Sequence, residues 1–261
     1  MPRFFINQEH LALDETGKKI ITFTEENAYH IARVLRMKPG ETITAADQQS
    51  RVYSVVLTRV GTEAVCGEVL KENTDQSEPG IKITLLQSIL KGEKMDLVLQ
   101  KGTEIGVSAF IPFLSTRTVA RPNPGQYQKK QERWQRIVEE AAKQSGRGVI
   151  PKVNPIVNWE QLEKILSQRP SLVAWEEERA SSLRETLETI GKPAEILLII
   201  GPEGGLAKVE VEQLLAWGAL SVSLGSRILR AETAGPVMSA LLMYHFGELE
   251  PVHSTFFSSG R

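Results

Sequence analysis

Apolar positions along the chain repeat with two periods, and the change falls at a polar stretch, KENTDQSEPG (Lys71–Gly80), which ends in Pro79-Gly80 and reads as a linker. Before it, Glu41–Asp47, Arg51–Val60 and Ala64–Leu70 carry β-branched residues between turn signals such as Pro39-Gly40, and predict short strands. One helix interrupts them: Thr24 stands at a capping position, and Ala28, Ile31 and Leu35 follow at helical spacing. Cys66 lies among apolar neighbours in a predicted strand and reads as a core thiol.

After Gly80 the pattern alternates between short apolar runs and longer amphipathic ones. Ile81–Ile89, Ala109–Ser115, Ser171–Trp175, Glu195–Ile200 and LSVSLG (Leu220–Gly225) predict strands. The Glu195–Ile200 run has no polar alternation, so both of its faces are expected to be covered. Between the strands, Gly92–Val107 sets Met95, Val98 and Ile105 on one helical face. Trp134, Ile137, Val138, Ala141 and Ala142 mark a helix ending near Gly146, and Trp159, Leu162, Ile165 and Leu166 another. Ser182–Ile190, Glu210–Ala219 and Glu232–Leu249 complete the helices. Strands alternating with helices predict an α/β unit on a parallel sheet, preceded by a smaller β-rich domain. The division expected is residues 1–73, residues 74–250 and a tail over 251–261, where two phenylalanines offer a docking point.

Composition adds mostly exclusions. The 261 residues are 41% hydrophobic and 24% charged, with a net charge of −1, so a nucleic-acid partner has to be met by local basic patches. One cysteine excludes an internal disulfide and a cysteine-rich metal site. The four histidines have no ligand spacing, so no metal is expected. Neither a secretory signal in MPRFFINQEH nor an apolar run of membrane-spanning length is present, which predicts a soluble, cytoplasmic protein without a membrane partner.

Candidate chemistry sits at two strand ends. The Glu195–Ile200 run stops at Gly201-Pro202-Glu203-Gly204-Gly205, and the next stops at Gly225, followed by Arg227-Ile228-Leu229-Arg230-Ala231-Glu232-Thr233. In open α/β sheets ligands bind beyond the carboxyl ends of strands, and glycines there let backbone approach closely. The first loop fits neither common phosphate-binding pattern, and Glu203 would repel a phosphate. A tight turn without a ligand explains it equally well when it is taken alone. Glu232 alone can be read as a residue favouring the helix dipole.

Together, IGPEGGL and LGSRILRAETA closely resemble the SPOUT class of methyltransferases, and within it the RsmE-type enzymes that methylate N3 of a uridine in small-subunit ribosomal RNA. QKGTEIGV (Gln100–Val107), STRTV (Ser115–Val119), EEAAKQSGRGVIP (Glu139–Pro151) and HIARVLRMKPGE (His30–Glu41) resemble further blocks of that family, so the likeness covers nearly the whole chain. It implies a PUA-like β-barrel that helps hold RNA, and an α/β domain with a deep C-terminal trefoil knot. The knot is implied by the resemblance alone, since topology rules argue against knots. It further implies a homodimer, and S-adenosylmethionine held by the loop after Trp175, by Gly201–Leu206 and by Leu224–Thr233.

The residues carried over as cofactor-binding are Trp175, Ile200, Gly201, Pro202, Glu203, Gly204, Gly205, Leu206, Leu224, Gly225, Ile228, Leu229, Arg230 and Thr233. Arg230 is expected to stabilise charge on the uracil oxygens. Glu232 is expected to accept the N3 proton, or else to tie down its loop through an arginine pair. Covalent methylation at C5 needs a nucleophile such as cysteine, and Cys66 sits badly for it. Expected RNA contacts are Arg3, Arg33, Arg36, Arg117 and Arg147, with Lys38, Arg121, Lys129, Lys130, Arg133, Arg136 and Lys152 as further cations. For each, a solvated charge is the plainer alternative. Naked ribosomal RNA and the assembled small subunit both remain open as substrate. So do a ribose 2′-hydroxyl methyltransferase and a non-catalytic RNA-binding module as alternatives.

Overall fold

The computed structural model describes residues 1–167 and 169–250, so the expected tail over 251–261 lies outside the described residues. It divides into two compact units, and Ala142–Ile150 belongs with the first rather than with the residues around it.

In the first unit the chain forms β1 (Arg3–Phe5), β2 (Leu11–Leu13), β3 (Lys19–Thr24), α1 (Glu25–Tyr29), β4 (Thr42–Ala46), β5 (Arg51–Val60) and β6 (Ala64–Thr74). The sheet order is β1-β4-β5-β6-β3-β2, antiparallel except for β1 beside β4. Alternation along β5 turns Tyr53, Val55 and Leu57 inward, where they join Phe4, Phe23, Ile31 and Ile43 in one core.

Several expectations change here. The predicted linker begins as strand, because β6 runs on to Thr74 opposite β5. Cys66 is half-buried rather than a core residue. The alternation that sends Val65 inward sends its thiol outward, 3.3 Å from Arg59 Nη2 and 3.9 Å from Thr22 Oγ1. The expected helix is short. It continues as a wider turn over His30–Val34, with Leu35 N–H bonded to the His30 carbonyl, and leaves Leu35 exposed. Thr24 occupies the cap position without a side-chain cap bond.

The second unit contains β7 (Lys82–Ser88), α2 (Lys94–Ile105), β8 (Ala109–Phe113), most of α3 (Tyr127–Ser145), β9 (Lys152–Val153), α4 (Gln161–Leu166), β10 (Ser171–Ala174), α5 (Leu183–Ile190), β11 (Glu195–Ile200), α6 (Lys208–Ala216), β12 (Leu220–Val222) and α7 (Ala231–His245). All six strands are parallel, in the order β12-β10-β11-β7-β8-β9. Ile196–Ile200 are buried on both faces, as the unbroken apolar run predicts. Trp134 is buried, while Trp159 and Trp217 pack at the edge of the core, where Trp159 Nε1 donates to Gln213 Oε1 at 2.7 Å. Because β12, β10 and β11 are neighbours and parallel, the loops leaving their carboxyl ends emerge side by side. Among the described residues no helix is long and apolar enough to cross a membrane.

Candidate functional site

Those three loops enclose a cavity of about 230 Å³. Its walls are Ala174 at the end of β10 with Trp175, Glu176 and Arg179 beyond it; Ile200 at the end of β11 with Gly201, Pro202, Glu203, Gly205 and Leu206 beyond it; and Ser223 through Arg230 after β12, with Ala231 and Ala234 from the start of α7. Of the expected cofactor residues, Gly204 and Thr233 do not line it, although both belong to its loops. Gly204 instead presents its carbonyl to Arg117, and Thr233 turns into the first turn of α7, where its N–H meets the Arg230 carbonyl at 2.8 Å.

The glycine loop is built by close backbone packing. Gly205 has φ +68° and donates to the Pro202 carbonyl at 3.0 Å, closing a tight turn that favours glycine. A Cβ on Gly205 would stand 2.0 Å from Glu176 Oε1, and one on Gly201 would stand 2.9 Å from Leu206 Cγ. Arg117 Nη1 donates to the Gly204 carbonyl at 3.0 Å and reaches the Leu206 carbonyl at 3.5 Å. Gln87 Nε2 donates to the Gly201 carbonyl at 3.3 Å. Beneath the loop, the buried Glu210 carboxylate accepts from the backbone N–H groups of Thr116 and Ala207, each at 2.8 Å.

Both acids of the expected site turn toward a lysine that the sequence had not singled out. Glu203 Oε1 accepts from Lys91 N–H at 2.9 Å and lies 3.8 Å from Lys94 Nζ. Glu232 Oε2 lies 3.5 Å from the same ammonium, is buried, and has no hydrogen-bond partner. The arginine partner expected for Glu232 is therefore replaced by Lys94, at the start of α2. Arg227 and Arg230 are exposed on the cavity rim and make no ion pair among the described residues. Ile228 is 78% exposed there.

Trp175 Nε1 is buried and also without a partner, in a side chain that lines the cavity. An orphaned donor beside apolar side chains is what a small polar-edged ligand would satisfy. Next to Arg179 in the chain, Glu178 is held below the usual carboxylate range by Ser221 Oγ–H and by the N–H groups of Ala180 and Ser181.

The expected RNA contacts fare differently. Arg33 and Arg36 are exposed. Arg3 is paired with Asp75 at 2.9 Å. Arg147 is buried with its guanidinium on Glu78 at 2.6 Å, so it stabilises the first unit rather than standing free for phosphate. Arg117 secures the glycine loop, and Arg133 is paired with Asp96. Among the described residues no group of three or more His, Cys, Asp or Glu side chains could hold a metal ion.

Comparison with known proteins places this geometry. Residues 76–243 match the model of an RNA methyltransferase domain, and residues 23–70 that of an RNA methyltransferase PUA domain. The chain is 34% identical to the ribosomal RNA small subunit methyltransferase E of Bacillus subtilis, over 90% of this chain and 93% of that protein. It is also 34% identical to the Synechocystis protein of the same name, over 88% of this chain and 75% of that protein. The crystal structure of the Neisseria gonorrhoeae ribosomal RNA small subunit methyltransferase E bound to S-adenosyl methionine superposes with a TM-score of 0.81 at 32% identity, over 94% of this chain and 98% of that one. A putative methyltransferase from Legionella pneumophila, also in complex with that cofactor, gives a TM-score of 0.77 at 26% identity, over 94% of this chain and 98% of that one. The chain belongs to the RNA methyltransferase family that includes ribosomal RNA small subunit methyltransferase E.

Proposed function

We propose that the protein transfers a methyl group from S-adenosylmethionine to N3 of a uridine in small-subunit ribosomal RNA. The observation that carries this reading is the cavity at the ends of β10, β11 and β12, walled by the glycine loop and the arginine loop, in a chain of this family. The residues fit the cofactor. Leu206, Leu224, Ile228 and Leu229 offer apolar cover for a flat base, the orphaned Trp175 N–H offers a donor, and the glycines let backbone come close. When bound, the cofactor supplies a methyl group on a sulfonium.

The chain's own part is positioning and charge. Arg230, with Arg227 beside it, stabilises negative charge on the uracil oxygens once N3 has lost its proton. Glu232 accepts that proton. Its Oε2 lacks a hydrogen bond, and Lys94 holds the carboxylate at the start of α7. Covalent C5 chemistry finds no nucleophile here, because Cys66 is the one cysteine and belongs to the other unit, facing Arg59. N3 lies on the pairing edge of the base, so the target uridine must be unpaired or flipped out.

Arg33 and Arg36 are the exposed cations of the first unit that this reading assigns to RNA backbone. Leu241 and Tyr244, exposed three residues apart on α7, support a homodimer contact. The deep trefoil knot and a cytoplasmic location belong to the same reading. The test is mass mapping and reverse transcription of ribosomal RNA from cells with and without the protein. Loss of a single uracil methyl group that blocks copying is expected. A lost ribose methyl that permits read-through would replace N3 by a 2′-hydroxyl.

A further inference from the structure

Among the described residues, two acids line the cavity, Glu176 and Glu203. Glu203 is committed to the Lys91 amide and to Lys94. Glu176 is half-buried and, among the described residues, has no hydrogen bond or ion pair from its carboxylate. That carboxylate rests on the backbone of Gly205, in space that any Cβ at 205 would fill, since the added atom would lie 2.0 Å from Oε1. The glycine is thus required twice: for its φ of +68° and for the acid seated on it. The cationic lining groups, Arg179, Arg227 and Arg230, are by contrast exposed to water. A charge withdrawn from solvent acts more strongly than one that is hydrated, so the sign felt inside the cavity is set by Glu176 more than by the rim arginines.

We infer that Glu176 is the counter-charge for the sulfonium of the cofactor, and that it makes the cavity prefer the methyl donor over the demethylated product. This rests on the reading of the cavity as an S-adenosylmethionine site. S-adenosylmethionine and S-adenosylhomocysteine share the nucleoside, the α-ammonium and the α-carboxylate, and differ by the methyl group and one positive charge on sulfur. When the methyl carbon bonds to the acceptor, the carbon–sulfur pair stays on sulfur and the cation becomes a neutral thioether. The attraction to Glu176 ends at that moment, which favours release of the product.

Calorimetric titration of wild type and Glu176→Gln with each ligand tests this without reference to turnover. Glutamine keeps the shape and removes the charge. The variant is expected to lose about tenfold in affinity for S-adenosylmethionine and little for S-adenosylhomocysteine. Equal losses for both ligands, or none for either, overturn the inference while leaving the cofactor site standing. A wild-type protein that binds neither ligand instead overturns the reading beneath it. Glu203→Gln supplies the control that does not depend on how Glu176→Gln folds. Its carboxylate is already occupied, so it is expected to affect both ligands alike, and a loss confined to S-adenosylmethionine there would assign the role to Glu203 and overturn the proposal.

Discussion

The two loops that form opposite walls of the cavity are held in very different ways. The glycine loop is fastened by side chains of Gln87 on Gly201, Arg117 on Gly204 and Leu206, Lys94 on Glu203 and Glu210 on Ala207, and by the backbone N–H of Lys91 on Glu203. Ser223–Arg230 has an internal bond from Gly225 N–H to Ser223 Oγ at 3.3 Å, exposed arginines and an exposed Ile228. Ordering a wall before the ligand arrives lowers the cost of binding, whereas a wall left open admits the ligand and is ordered by it. Under the proposed function, the contrast gives shape to the glycine loop, and capture and charge to the arginine loop.

Substitutions on each wall break the comparison in turn. Glu210→Ala carries the largest expected effect, about 3 kcal/mol of stability read from denaturant midpoints, because two backbone N–H groups lose a charged, buried acceptor. On the open wall, Arg230→Ala is expected to slow turnover about a hundredfold with the melting temperature unchanged, since its side chain is exposed and unpaired among the described residues. Unchanged turnover would remove Arg230 from the chemistry. Gly205→Ala returns to the fixed wall and should cost about 1–2 kcal/mol for the left-handed backbone alone, with weaker cofactor binding as Glu176 is displaced. Ile228→Ser is expected to leave stability within about 0.5 kcal/mol while weakening cofactor affinity, measured by melting and calorimetry.

The smallest effect concerns pH. The Glu178 carboxyl is depressed in the fold, so its contribution is complete above the ordinary carboxylate pKa and is lost as pH falls through the folded value. Ser221→Ala removes the largest cause. Its melting temperature is therefore expected to fall below wild type at neutral pH and to converge on it in acid. A gap that persists in acid would show that Ser221 acts by packing.

What the sequence revealed follows from how local each signal is. Glu195–Ile200 is legible because burial on both faces leaves an uninterrupted apolar run, and the glycine loop because it must end that run. Lys94 was not legible. On its own it is a lysine in the first turn of a helix, and it acquires meaning when folding brings Glu203 and Glu232 to it. Glu176 and Gln87 are silent for the same reason. Arg147 misled, because its partner Glu78 lies 69 residues away and an isolated arginine reads as a free cation. The two-residue β9 and the three-residue β1 and β2 are too short to show a period.

The pairing of β11 with β7 has a kinetic consequence. Thr84 and Glu195, whose side chains hydrogen-bond, are 111 residues apart, so the central pair of the sheet forms only after a long stretch of chain has been closed into a loop. Contacts of that separation slow folding. Ligand capture, which needs the end of β11 in place, is then a late event in refolding, and the recovery of binding after dilution from denaturant is expected to lag behind the recovery of helical signal.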